Sequence, residues 1–275
     1  MSQPSNHSIL DTILEHKRQE ELPRRKRERP LSDVRRDAEM CDRPTRDFGA
    51  ALCRADGLVA LIAEIKRASP SRGELAHGAF QPGALAQTYA ANGASAISVL
   101  TDERFFKGAL DHLRQARAAV NVPVLRKDFI VDPYQLYEAR AVGADAALLI
   151  VAALDDGALR ELFALARELT LTPLVEVHDE RETERALAIG ARIIGVNNRD
   201  LRTFITDIAT TARCARCLAG CDSCLLVSES GIASADDVAR VAAMGAHAVL
   251  VGESIITADD VAAQVRALAG TRRRV

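Results

Sequence analysis

The chain has no long apolar run, no excess of charge of either sign, and no motif that would load a nucleotide or a metal. None of its apolar stretches approaches the roughly 20 residues that a membrane-spanning helix needs. The polar N-terminus also lacks the apolar core of a secretory leader, so a cytoplasmic protein is expected. Lys and Arg number 36 against 38 Asp and Glu, a formal net charge of -2. That balance leaves no global field to gather nucleic acid or anionic lipid, and any anion binding has to be local. No G-x-x-x-x-G-K loop and no dinucleotide fingerprint follows a strand-like run, and the six His lack ligand spacing. Neither a cofactor nor a catalytic metal is expected. Six cysteines in 275 residues do not make a disulfide framework, least of all in a reducing compartment. Four of them, Cys214, Cys217, Cys221 and Cys224, fall in CARCLAGCDSC. The connection between the two C-x-x-C pairs is short for wrapping a zinc ion, so packing and surface thiols are the expectation.

What the chain does have is a rhythm. Eight short apolar runs each end in a small polar cluster and lead into a helical pattern: VALIAEIK from Val59, AISVLTD from Ala96, VPVLRKD from Val122, AALLIVA from Ala146, TPLVEVH from Thr172, IIGVNNR from Ile193, LLVSESG from Leu225 and AVLVGES from Ala248. Their near-continuous Val, Ile, Leu and Ala suit parallel strands covered by helices. Gly93, Gly143, Gly190 and Gly245 close the intervening helical patterns where a left-handed cap is wanted. The alternation predicts an α/β fold, a (β/α)8 TIM barrel over residues 56–275. Residues 1–55 form an N-terminal helical extension. Within it SILDTILEHKRQEEL from Ser8 has helical spacing with Ser8 as cap, Pro23 and Pro30 punctuate, and a second helix runs from about Ser32 toward Pro44. Two local basic runs, Arg24 to Arg29 and Arg272 to Arg274, could meet polyphosphate or nucleic acid. With no nucleic-acid module beside them they read as solvated surface.

Barrel active sites lie where the strands end, which gathers Glu64, Lys66, Lys127, Glu176, Asn197, Arg199, Ser230, Gly231 and Gly252 into one candidate pocket. Glu64 and Lys66, two apart, point the same way. They are either a wall of the site or an ion pair fixing the rim. Two cations and two carboxylates in a desolvated mouth can shift one another's pKa values, as acid–base chemistry requires. Glycines after the seventh and eighth strands suit a phosphate cradle of backbone N–H groups, or simply tight turns. His178 could reach the same pocket but reads more readily as a structural imidazole.

The motifs AEIKRASPSRG, AISVLTDERFFKG, VLRKDFIVDPYQLYEARAVGADAALLI, LVEVHDE, IGVNNRDLRTF, VSESGI and VLVGES, in this order, closely resemble the indole-3-glycerol phosphate synthase family. The resemblance spans most of the barrel and extends to the helices before it. It implies ring closure, decarboxylation and dehydration of 1-(2-carboxyphenylamino)-1-deoxyribulose 5-phosphate, without cofactor or metal. It makes Lys127 the general acid at the ribulose carbonyl and Glu176 a partner in proton transfer. Lys66 becomes an anion contact and dehydration acid, oriented by Glu64, with Asn197 and Arg199 in the polar region. Ser69, Ser230, Gly231, Gly252 and Glu253 surround phosphate or sugar, Glu253 through its backbone only. Phe106, Phe129 and Leu148 enclose the aromatic ring. Acid catalysis near neutral pH suggests a lowered pKa for Lys127. The expected partner is a small phosphorylated substrate, with no nucleic acid and no membrane, and the expected state a monomer or weak homo-oligomer. Other phosphosugar chemistry, including a Schiff-base aldolase on Lys66 or Lys127, and a noncatalytic binding barrel are the competing readings.

Overall fold

The computed structural model describes residues 8–76, 80–200 and 203–273. All eight apolar runs are strands: β1 (Ala60–Ile65), β2 (Ala96–Leu100), β3 (Val124–Lys127), β4 (Ala146–Ile150), β5 (Thr172–Val177), β6 (Ile193–Asn197), β7 (Leu225–Glu229) and β8 (Ala248–Val251). They are all parallel, each pairs with its sequence neighbours, and β8 closes on β1 with Ala63 opposite Val251. The strand residues are buried almost throughout. That is why they carry continuous aliphatic runs: one face fills the barrel and the other meets the helix layer. A helix follows each strand, and Gly93, Gly143, Gly190 and Gly245 end four of them with φ of 106°, 89°, 84° and 107°, the left-handed region that a residue without Cβ enters freely.

The extension before β1 is helical and packs against the barrel. Ser8 caps its first helix by a reciprocal pair: its Oγ accepts from the Asp11 N–H at 3.1 Å and its own N–H donates to Asp11 Oδ2 at 3.0 Å. Pro23 does not punctuate as expected. The chain runs helically from Ile9 to Glu28, with a π-helical turn at Lys17–Glu21 directly before the proline. A proline clashes with the carbonyl four residues back, and the wider turn, in which Leu22 N–H reaches Lys17 O, removes that conflict. Pro30 does break the helix. Arg29 before it is extended, and the next helix is Leu31–Glu39. Leu10, Ile13, Leu14, Phe48 and Leu52 join the same buried cluster as the barrel strands.

The basic run Arg24 to Arg29 is not a plain solvated face, because four of its cations, Arg24, Arg25, Lys26 and Arg29, are paired within the chain. Arg25 is buried and meets Glu138 at 2.9 Å, Glu103 at 2.8 Å and Glu21 at 3.1 Å. Arg24 meets Glu103 at 2.6 Å and Lys26 meets Asp132 at 2.7 Å; Arg29 pairs with Asp37. At the other end Arg272 bridges Leu58 and Arg273 N–H donates to Gly57 O at 2.8 Å, while Arg274 lies outside the described residues. The cysteine expectation also needs correction. Cys221 and Cys224 form a disulfide, Cys214 is buried and Cys217 half-buried. The bridged pair follows the helix Ala209–Cys217 in a turn where Cys224 N–H donates to Cys221 O at 2.9 Å, a geometry that brings the two sulfurs together.

Candidate active site

A cavity of about 430 Å³ opens at the C-terminal ends of the strands. It is lined by every candidate residue from the sequence except Ser69, joined by Glu229, Asp128 and several aliphatic side chains. Ser69 is buried instead in a two-residue hairpin over the mouth, Ala68–Ser69 paired with Gly73–Glu74, with its Oγ 3.5 Å from Ser71 Oγ.

The floor is ionic. Lys127 Nζ lies 3.1 Å from Glu176 Oε2 and 3.2 Å from Glu229 Oε2; Lys66 Nζ lies 2.9 Å from Glu64 Oε1. Burial works against the Lys127 charge, but Glu176, Glu229 and Glu64 outweigh it and hold the ammonium above its ordinary pKa. The expectation of a lowered pKa is therefore overturned, because Glu176 lies directly against the ammonium and Glu229 and Glu64 add to it. Glu176 is buried too, yet Lys127, His178 and Asn197 keep it well below the usual carboxylate range. Glu229 is the group placed near neutrality: burial and the neighbouring Glu176 carboxylate push it up to about 7 despite Lys127. Its Oε1 has no hydrogen-bond partner and lies against Gly195, where a Cβ would collide with it. Gly252 makes room for the Glu64 carboxylate in the same way.

Asn197 is held by what it binds. Its Nδ2 donates to Glu176 Oε1 at 3.1 Å, and its Oδ1 accepts from Ser230 Oγ at 2.8 Å and from the Arg199 N–H at 3.1 Å. His178 spans two carboxylates, Nε2 3.4 Å from Glu176 Oε1 and Nδ1 3.0 Å from Glu182 Oε2. Its own burial opposes the charge, but those carboxylates raise its pKa to about 10, so it is an imidazolium at neutral pH. Ser230 and Gly231 are successive left-handed residues with φ of 67° and 77°; for the serine this is a strained conformation of the kind that collects at sites. A Cβ on Gly231 would meet Thr206 Cγ2 at 2.6 Å. Gly252 leads into the short helix Glu253–Ile256, whose first N–H groups have no partner within the helix. The Glu253 carboxylate turns away to Arg72 at 3.1 Å. Opposite this glycine-lined side stands an apolar wall of Leu100, Phe106, Phe129, Leu148 and Ile150, with the Phe106 and Phe129 rings 6.0 Å apart.

Glu229 was the residue missed. It closes the strand of VSES in the same place that Glu64 takes in AEIK and Glu176 in VEVH, and that positional parallel was the available signal. Asp128, directly after the strand Val124–Lys127, also lines the cavity and was not among the sequence candidates.

An ionic cluster, an apolar wall and a glycine-lined side share one mouth of the barrel, the arrangement of an enzyme of the (β/α)8 class. The model of the family described as "Indole-3-glycerol phosphate synthase" matches residues 10–268. A protein of that name from Roseiflexus sp. (strain RS-1) is 55% identical over 269 residues, covering 96% of this chain and 98% of the relative. One from Laribacter hongkongensis is 48% identical over 254 residues, covering 92% and 95%. Thiamine phosphate pyrophosphorylase from Pyrococcus furiosus superposes with a TM-score of 0.58 at 15% identity, covering 79% of this chain and 97% of that one, and shows the shared barrel alone. The chain belongs to the indole-3-glycerol phosphate synthase family, the ring-closing carboxy-lyases of tryptophan biosynthesis.

Proposed function

We propose that Lys127, Glu176, Glu229, Lys66 and Glu64 carry the proton transfers that convert 1-(2-carboxyphenylamino)-1-deoxyribulose 5-phosphate to indole-3-glycerol phosphate, carbon dioxide and water. The observation that carries this reading is the Lys127 ammonium, 3.1 Å from Glu176 and 3.2 Å from Glu229 on the cavity floor. The ring carbon bearing the carboxylate attacks the ribulose carbonyl, and its oxygen, becoming an alkoxide, takes a proton from Lys127. An alkoxide is more basic than any amine, so a raised ammonium pKa does not prevent the transfer. It keeps Lys127 loaded, and Glu229, near neutrality, is placed to return the proton. Departure of carbon dioxide hands its bonding pair back to the ring and restores aromaticity. Dehydration then needs a proton on the leaving hydroxyl, assigned to Lys66, and loss of one from the adjacent carbon to a carboxylate on another wall, assigned to Glu176.

The apolar wall holds the anthranilate ring against the carbonyl, where orientation itself lowers the barrier. Gly231, Gly252 and the Glu253 N–H receive the phosphate, Ser230 and Arg199 the sugar, and Asn197 fixes Glu176. Ser69 approaches the phosphate only if its hairpin folds inward. We further read the protein as a cytoplasmic monomer or weak homo-oligomer without a nucleic-acid partner. The internal pairing of Arg24, Arg25, Lys26 and Arg29 supports this, as does the lack of any described helix long and apolar enough to cross a membrane.

The test is turnover of the synthetic substrate, followed by indole absorbance with chelator present. Product at enzyme-like rates supports the assignment. Folded protein that makes none, or borohydride trapping of a carbonyl substrate on Lys66 or Lys127, turns the reading to other phosphosugar chemistry.

A further inference from the structure

Lys17, in the π-helical turn of the N-terminal extension, is fully buried (0% exposed). Its Nζ meets Glu21 at 2.8 Å, Asp128 at 2.8 Å and Asp102 at 3.0 Å. Three of these groups belong to a closed circuit of alternating charge. From Asp128 it runs to Arg126 at 2.9 Å, on to Glu138 at 3.2 Å, to Arg25 at 2.9 Å, to Glu21 at 3.1 Å and back to Lys17. Asp102 stands outside the circuit and is joined to it through the ion pair of its Oδ2 with Lys17.

Both aspartates steer the cavity. Asp102 Oδ1 accepts from the Phe105 N–H at 2.7 Å and the Phe106 N–H at 3.1 Å, so it starts the short helix that presents Phe106. Asp128 Oδ1 accepts from the Phe129 N–H at 2.8 Å, and its Oδ2 accepts from Thr101 Oγ1 at 2.6 Å. Asp128 is also the residue directly after Lys127. One ammonium, supplied from outside the eightfold repeat, thus ties the loop carrying Phe106 to the strand end carrying Lys127 and Phe129.

We propose that Lys17 is a positioning residue for ring closure, which sets the Phe106–Phe129 wall against the Lys127 ammonium. This rests on the reading that those three residues act on the substrate. A charge placed in this way acts on kcat, while the phosphate cradle after β7 and β8 makes no contact with it.

The test compares Lys17→Gln and Asp102→Asn with wild type in turnover of the synthetic substrate, and uses inorganic phosphate as a competitive inhibitor to probe the cradle. Asn keeps the helix cap but loses the ion pair, so Asp102→Asn cuts the Lys17 link to the Phe106 loop while the charge circuit stays whole. We expect kcat to fall at least tenfold in Lys17→Gln and several-fold in Asp102→Asn, with phosphate inhibition within about twofold of wild type in both. Near-normal kcat in a folded Lys17→Gln, or in Asp102→Asn should the first variant not fold, overturns the proposal. A loss of phosphate affinity equal to the loss of kcat overturns it too, since that is general loosening. Full turnover by Lys127→Met in the same assay would instead remove the reading on which the proposal rests.

Discussion

Two lysines, half-buried Lys127 and fully buried Lys17, each meet more than one carboxylate at about 3 Å, and they do different things. Lys127 has Glu176 and Glu229 as ion-pair partners and Lys17 has Glu21, Asp102 and Asp128, so the chemistry of the two clusters is nearly the same. What differs is access and the number of cations that each carboxylate meets. The Lys127 side chain is 15% exposed to the cavity and the Lys17 side chain 0%. Asp128 accepts from a backbone N–H, a hydroxyl and two cations, and its carboxyl stays well below the usual range because Lys17 and Arg126 outweigh its burial. Glu229 has one cation and an unpartnered oxygen, and is pushed up to about 7, chiefly by burial. A cluster sealed from the cavity, with its cations and carboxylates interleaved, is architecture. A cluster left one partner short beside a cavity can exchange a proton at neutral pH.

Changes at the two clusters should therefore read out mainly on different instruments, the Lys17–Asp102 link to the Phe106 loop being the part of the sealed cluster that reaches turnover. The largest effect on rate is expected for Lys127→Met: a loss of roughly 10³-fold or more in kcat, at the upper range for a general acid, with inorganic phosphate still binding in a competition assay. Arg126→Met in the sealed cluster should instead cost about 3–5 kcal/mol of stability, the usual penalty for stranding buried charges, seen as a lower urea midpoint. Glu176→Gln should slow turnover by about 10²-fold with its denaturation curve nearly unchanged; an unfolded variant would move Glu176 into the architectural class.

The fourth prediction concerns pH. A carboxyl raised from 4.5 to about 7 on folding is protonated in both states below pH 4.5 and ionised in both above 7. Between these values the unfolded chain releases the proton first, so stability falls as pH rises. The stability difference between wild type and Glu229→Gln should therefore shrink by about 1–3 kcal/mol from pH 4.5 to 7 and then level off, as urea titrations at several pH values would show. Smallest of all, Glu253→Gln should change stability by less than about 0.5 kcal/mol, since it loses only an exposed pair with Arg72. Phosphate inhibition should stay within twofold if only the backbone of Glu253 serves the cradle.

The open cluster was largely legible in the sequence, because strand-end positions follow from the period of two within a strand and from the eightfold repeat. Glu64, Lys66, Lys127, Glu176 and Asn197 all line one cavity on that basis. The sealed cluster was not legible. Lys17 and Arg25 look like surface charges in a helix rich in Arg, Lys and Glu, and only long-range packing brings them to Asp102, Asp128 and Glu138. The direction of the Lys127 shift is not legible for a related reason: a pKa depends on how closely carboxylates converge on one point, and the sequence does not give the 3.1 Å contact with Glu176 or the added contact with Glu229. Pro23 and the Cys221–Cys224 bridge turned on local backbone geometry, a π turn and a tight loop, that composition does not specify.

The most direct test of the contrast is a ¹³C titration of side-chain carboxyls from pH 4 to 9, with the Glu229 signal assigned by its loss in Glu229→Gln. One glutamate titrating near pH 7 while Asp128 stays ionised throughout is the predicted result. Glu229 titrating near 4.5, or Asp128 titrating within the range, would contradict the division into a proton-exchanging cluster and an architectural one.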